Sequence, residues 1–184
     1  MIQAFRLSVF TFILTGLFYP LLVTGMCQAV FPFQANGSLV LNSSHQVVGS
    51  RLLGQTFTQA RYFHPRPSAN DYDASNSGGS NWGATNQKLI SRIQKEALAY
   101  HVENGVQAIP LDAVTASASG LDPHINLSNA NAQVSRIATA RRLSPVVIQK
   151  QVQTLAERSS FSQAEPLVNV LELNLMLDRM TNKQ

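Results

Sequence analysis

Residues 7–31 read LSVFTFILTGLFYPLLVTGMCQAVF. Every residue in this stretch is uncharged and most are apolar. A helix needs about 20 such residues to cross the hydrocarbon core of a bilayer. With no water there, the backbone must satisfy its own polar groups, so a lone span is a helix. Gly16, Pro20 and Gly25 would weaken a soluble helix but are tolerated in a membrane, where Pro20 is expected to kink it. The competing reading is a cleaved signal peptide with Arg6 as its basic end and Ala29 at the cleavage site. The apolar run exceeds the usual ~7–15-residue core of such a peptide, which favours a retained anchor. A lipoprotein signal fails because bulky Met26 precedes Cys27.

Working outward, the charge pattern divides the chain. Arg6 is followed by no Asp, Glu, Lys or Arg until Arg51, in a chain of 184 residues. Only 13% of residues are charged, against roughly 25% in an ordinary soluble domain. The division expected is a cytoplasmic tip at 1–6, a transmembrane helix at 7–31 and one domain at 32–184. With Arg6 before the span and no cation close behind it, the positive-inside rule puts the N-terminus in the cytoplasm and the main domain outside, in the periplasm. Ser8, Thr11 and Thr15 are three and four apart and share one helix face. Such a stripe suits packing on a partner helix, or the hydroxyls bond back to their own helix.

The rest excludes several classes. Cys27 is the single cysteine, so there is no internal disulfide framework and no Cys-rich zinc site. The net charge is +4, without the clustered cations a nucleic-acid footprint needs; Arg136, Arg141 and Arg142 are the nearest approach. The 45% hydrophobic content excludes a disordered chain.

Periodicity predicts an α+β fold, a single mixed α/β domain behind the anchor. Gly37 to Phe57 reads as extended runs at Leu39–Leu41, Val47–Val48 and Leu52–Phe57, with turns at Asn42–His45 and Gly49–Ser50. Tyr62 to Asn86 reads as loop. A helix follows with Leu89, Ile93, Ala97 and Tyr100 on one face, stopping at Asn104-Gly105. Val106–Pro110 suits a short strand, and Thr115–Asn126 another loop. Ser128 opens a helix with Ala130, Val134, Ile137 and Ala138 inward. Ser144-Pro145 opens the next, with Ile148, Val152 and Leu155 inward. In the last segment Leu171, Leu173, Leu175 and Leu177 alternate, which favours a strand over a helix.

Each candidate site has a plain structural counterpart. Gly78, Gly79, Ser80 and Asn81 form a Gly-rich loop that could face phosphate, but no Lys-Ser/Thr follows, and a tight turn explains it as well. Asp122 and His124 could ligate a metal or exchange a proton, or start a turn. Arg61, His64 and Arg66 around Tyr62-Phe63 could bind an anion or a partner's acidic rim, or frame a packed aromatic corner. Asp71 and Asp73 are too few oxygens for calcium. No G-x-S-x-G elbow is present.

Six blocks carry a resemblance: VGSRLLGQTF at 48–57, YFHPRPSA at 62–69, SGGSNWGATN at 77–86, VTASASGLDPHI at 114–125, QVSRIATAR at 133–141 and VNVLELNLML at 168–177. With the N-terminal span before them, the chain resembles the C subunits of Kdp-type potassium-transporting ATPases. Trp82 stands where related sequences more often have Leu. The resemblance implies a non-catalytic accessory subunit of a four-subunit ATP-driven potassium importer in the bacterial inner membrane. Its partners would be a channel-like potassium-translocating subunit, a P-type ATPase subunit and a small fourth subunit. The family is described as a catalytic chaperone that raises the ATP affinity of the ATPase subunit. ATP and potassium would belong to the complex, with no cofactor or metal of this chain's own. A domain outside the membrane fits assembly best, a gate at the potassium entrance next and direct ATP contact least. The alternatives are a membrane-anchored periplasmic hydrolase using His124 or a serine, and a secreted ligand-binding domain.

Overall fold

The computed structural model describes residues 1–42, 44–157 and 164–181. The apolar N-terminus is one continuous helical rod over Ile2–Val30. It is built from α1 (Ile2–Ile13), a π-helical turn (Leu14–Phe18) and α2 (Tyr19–Val30). None of its residues is buried. The Tyr19 N–H reaches back five residues to the Leu14 carbonyl. Pro20 follows with no N–H to give, so the widened turn absorbs the proline without ending the helix.

The rod ends at Phe31 and a single turn, α3 (Pro32–Ala35), leads into an antiparallel hairpin of β1 (Leu39–Leu41) and β2 (Val47–Ser50). Gly49 and Ser50, expected as a turn, lie inside β2. Leu52–Phe57, expected as extended, is a turn followed by irregular chain. It lies hard against the 121–122 segment: the Gly54 N–H donates to the Leu121 carbonyl at 2.7 Å, and a Cβ there would meet the Asp122 carbonyl oxygen at 2.7 Å.

Irregular chain then runs to α4 (Gln87–Asn104). Asn86 caps it by accepting from the Lys88 N–H, and Gly105 ends it at φ +67°. Its inward face, Leu89, Ile93, Ala97 and Tyr100, is only half-buried, so α4 lies at the rim. Val106–Pro110 forms no strand; the Val106 carbonyl instead meets His101 Nδ1 at 2.8 Å. The expected loop at 115–126 closes with a short strand, β3 (His124–Asn126). It pairs antiparallel with β4 (Leu167–Asn169), Ile125 opposite Val168.

The core lies between this two-stranded sheet, α5 (Leu127–Arg141), α6 (Pro145–Leu155) and α7 (Val170–Thr181). Ala130, Val134, Ile137 and Ala138 face inward from α5, and Ile148 and Val152 from α6, as their spacing predicts. The last segment overturns the strand expectation. Val170, Leu173, Asn174 and Leu177 are buried, which is the i, i+3, i+4, i+7 stripe of a helix. Asn169 caps it by accepting from the Glu172 N–H. The leucine alternation misleads because Leu171 is also buried, but off the stripe, close to Gly49 of β2.

This assignment has a direct check. Leu173 is fully buried and Leu175 only partly. Leu173→Ala should cost about 2–5 kcal/mol and Leu175→Ala clearly less, measured by denaturant unfolding of the detergent-solubilised chain. Equal losses would fit a strand instead.

Candidate functional site

The two loop stretches around 62–83 and 115–124 fold onto each other as one lobe. Gly78 N–H and Ser77 Oγ both donate to the Ser119 carbonyl, at 2.9 and 3.0 Å. Ser117 N–H donates to the Pro67 carbonyl at 3.0 Å, and Ser68 Oγ to the Gly120 carbonyl at 2.8 Å. Gly120 sits at φ +70°, where a Cβ would strike Asn70 and the Gly78 carbonyl. Glycine is needed there for both its sign of φ and its lack of volume.

Arg66 and Asp122 bridge the two loops, Nη1 to Oδ2 at 2.8 Å, with about a quarter of each side chain exposed. Asp122 Oδ1 accepts from the His124 N–H at 3.0 Å, while the His124 ring nitrogen stands 3.6 Å away. Burial alone would raise the Asp122 carboxyl. The hydrogen bonds from His124 and the Arg66 guanidinium outweigh it and hold the group below its ordinary value. Asp122 is thus a carboxylate at neutral pH, spent on Arg66 and on a turn.

The Gly-rich loop lines an open cleft of about 330 Å³. Gly79–Trp82 form one wall, α4 supplies Leu89, Arg92 and Ile93, and Thr115–Ala118 close the third side. The cleft is part apolar and part hydroxyl, with one cation, Arg92, that reaches Glu96 at 3.5 Å. Burial raises the Glu96 carboxyl, opposed by Arg92. Gly78 already spends its N–H on Ser119.

Arg61 lies against α7, whereas the His64 ring turns to α4 and lines an open pocket together with Arg66. His64 Nδ1 is 3.2 Å from Glu103, and its Nε2 is 3.2 Å from the Gln59 carbonyl. Burial first, then the nearby Arg136 cation, push its pKa below the usual value. Arg61 is 3.6 Å from Asp178 and lies over the Tyr62 ring. Arg141 joins the same knot from below, 2.8 Å from Asp178. In the apolar rod, Thr11 Oγ1 donates to the Leu7 carbonyl at 2.9 Å and Thr15 Oγ1 to the Thr11 carbonyl at 2.7 Å. Both hydroxyls are used within their own helix, and Ser8 is exposed beside them.

Sequence reasoning passed over the side chains that hold the lobe. Arg136 donates to Asn104 Oδ1 and to the Ala60 and Tyr62 carbonyls, at 2.7–2.9 Å. Gln133, Asn129 and Asp112 are buried in one polar chain: Gln133 Nε2 donates to Asn129 Oδ1, and Asn129 Nδ2 to Asp112 Oδ2. Gln133 and Arg136 lie in the 133–141 block, while Asn129 and Asp112 lie outside all six blocks and carry no signal in the sequence. Among the described residues, no three His, Cys, Asp or Glu are grouped to hold a metal ion.

The sequence profile of the family described as "KdpC: K+-transporting ATPase, c chain" matches residues 1–179. The chain belongs to this family. A KdpC relative from Koribacter versatilis, named a potassium-transporting ATPase KdpC subunit, is 48% identical over 181 residues, covering 97% of this chain and 93% of the relative. The KdpC subunit of Gloeobacter violaceus is 48% identical over 176 residues, covering 95% and 93%. That of Mycobacterium bovis is 48% identical over 184 residues, covering 95% and 94%. The membership extends through the apolar rod, both loops of the lobe and α7.

The Arg66–Asp122 bridge gives a signed pH dependence. A depressed folded-state pKa means the unfolded chain binds more protons as pH falls, so the bridge's contribution is present above about pH 3.9 and lost below it. Asp122→Asn should destabilise the chain by about 1–3 kcal/mol at pH 7, since Arg66 is left unpaired. The gap from the parent should close as unfolding is measured down through pH 4 to 3.

Proposed function

We propose that the chain is a non-catalytic accessory subunit of an ATP-driven potassium importer, which it assembles and stabilises. The observation that carries this reading is the family match along residues 1–179. Relatives named as potassium-transporting ATPase KdpC subunits overlap nearly the whole chain, which supports it. The partners in this reading are a channel-like potassium-translocating subunit, a P-type ATPase subunit and a small fourth subunit. ATP and potassium are handled by them.

The architecture suits such a role. The apolar rod anchors the chain, and behind it stands a domain whose loops are locked to one another by hydrogen bonds and the Arg66–Asp122 bridge. Locked loops can dock with little loss of conformational freedom. The cleft beside Trp82 and the exposed side chains of Leu98 and Val102 on α4 are surfaces a protein partner would cover.

Arg6 before the rod, and no cation between it and Arg51, orient the N-terminus to the cytoplasm of a bacterial inner membrane and the domain to the periplasm. With that topology the domain and the nucleotide lie on opposite sides of the bilayer. Any gain in ATP affinity is therefore transmitted through the ATPase partner.

Two measurements test this. Ala74 is exposed in the lobe. In a Cys27→Ser background, Ala74→Cys should react with a membrane-impermeant maleimide in intact spheroplasts. Labelling only after permeabilisation would reverse the topology. Expressing the partner subunits without this chain should leave no complex with potassium-stimulated ATPase activity. Full ATPase and transport without it, or ATP hydrolysis by the chain alone, would remove the assignment.

A further inference from the structure

We propose that the β1–β2 hairpin is a membrane-surface foot, whose exposed Leu39, Leu41 and Val47 lie in the interfacial zone of the lipid bilayer beside the end of the span. The inference rests on the rod being membrane-spanning and goes beyond the subunit role. Four observations carry it.

The first is tethering. Ser38 N–H donates to the Phe33 carbonyl at 2.9 Å, Gly37 N–H to Gln34 at 3.0 Å, and Ser50 Oγ to the Gly37 carbonyl at 2.7 Å. The open end of the hairpin is thus bonded to the last turn of helix after the rod. From Leu7 to Val30, at 1.5 Å per residue, the rod covers about 36 Å. The hydrocarbon core is about 30 Å thick, so Val30 and the turn behind it fall in the headgroup zone. The hairpin base has no length of chain with which to leave it.

The second is the split between its two faces. One face packs on the domain: a Cβ on Gly49 would meet Leu171 Cδ2 at 2.9 Å and the Gln55 amide, and Gln55 Nε2 donates to the Val48 carbonyl at 3.1 Å. Val40 is half-buried on that side. Leu39 and Leu41 alternate with it and point away, 44% and 43% exposed, and Val47, opposite Leu41, is 58% exposed. A two-stranded ribbon is marginal in water and gains from cover on both faces.

The third is charge. No Asp, Glu, Lys or Arg occurs from residue 7 to residue 50, so the uncharged surface of the rod continues without a break through Phe31 and Phe33 onto the hairpin. The fourth is the direction of the first charge beyond it. Arg51 turns inward to the domain, with Nε 2.5 Å from Glu172 and Nη2 3.2 Å from Glu157. The polar tip around Asn42–Gln46 closes on itself, with the Gln46 N–H donating to Asn42 Oδ1 at 2.9 Å. An apolar face of this kind, continuous with a span, matches a lipid interface. A protein partner would have to fit between it and the headgroups.

Depth-resolved fluorescence quenching decides it. The full-length chain, with Trp82→Phe, is reconstituted into phosphatidylcholine vesicles with or without brominated acyl chains. Single tryptophans are placed by Leu41→Trp, by Leu17→Trp inside the rod, and by Val146→Trp at the end of α6 remote from Glu157. Folding of each variant is confirmed by circular dichroism. Leu41→Trp should be blue-shifted and lose a large share of its emission to bromine, less than Leu17→Trp and several-fold more than Val146→Trp. Emission at Leu41→Trp that matches Val146→Trp while Leu17→Trp is quenched overturns the foot and leaves the span. No quenching at Leu17→Trp removes the span and the foot together.

Discussion

The domain depends on one substitution of partners. Among the described residues its two sheets have two strands each, too few to satisfy the backbone of long irregular segments. A buried peptide group without a partner costs about as much as a lost hydrogen bond, or more. At Phe63–His64, the most deeply buried part of the first loop, side-chain amides take the place of a neighbouring strand. Asn174 on α7 accepts from the Phe63 N–H at 2.8 Å and donates to the Phe63 carbonyl at 3.0 Å. Gln133 on α5 does the same for His64, at 2.8 and 3.1 Å. Phe63 is thereby fixed, fully buried, in the core.

The rest of the lobe follows from that pin. The Phe63–His64 segment fixes where Arg66 leaves the core, so Arg66 can reach Asp122 and bring the second loop against the first. The serines and Gly120 then close the two loops on one another. Arg136 holds the preceding corner through the Ala60 and Tyr62 carbonyls and reaches Asn104 at the end of α4. A lobe made of loops thus becomes a shaped surface through polar bonding around a buried Phe63. A subunit whose work is docking needs such a surface.

The sequence made some of this legible and hid the rest for physical reasons. The rod was readable because lipid admits only long uncharged helices. On α5, Ala130, Val134, Ile137 and Ala138 were readable because an apolar stripe facing a core has a period. Asn174 and Gln133 were not, because a polar residue in a helix reads as solvent-facing until its partner is known, and that partner lies 111 or 69 residues away. The strand reading of Leu171–Leu177 fails on the same point: with Asn174 counted as exposed, the leucines alternate, and with Asn174 counted inward it joins Val170, Leu173 and Leu177 in a helical stripe. The blocks quoted for the family resemblance did contain Phe63–His64, Gln133 and Asn174, without saying that they meet. The site residues chosen from the sequence are scattered: Arg66, Asp122 and the Gly-rich loop lie in the lobe, His64 lines a pocket with Arg66 but turns to Glu103 of α4, Arg61 lies against α7, and Ser8, Thr11 and Thr15 lie in the rod.

The amide pin is open to a residue-level measurement. Hydrogen exchange of the Phe63 and His64 backbone amides, in the full-length chain in detergent micelles, reports directly whether they are bonded inside the core. They should exchange as slowly as the core amides of α5, although they lie outside any helix or strand. Asn174→Ala should release Phe63, and Gln133→Ala should release His64, while α5 stays protected. Fast exchange at both positions in the parent chain, at the rate of the exposed Ala74–Ser75 turn, would contradict the account.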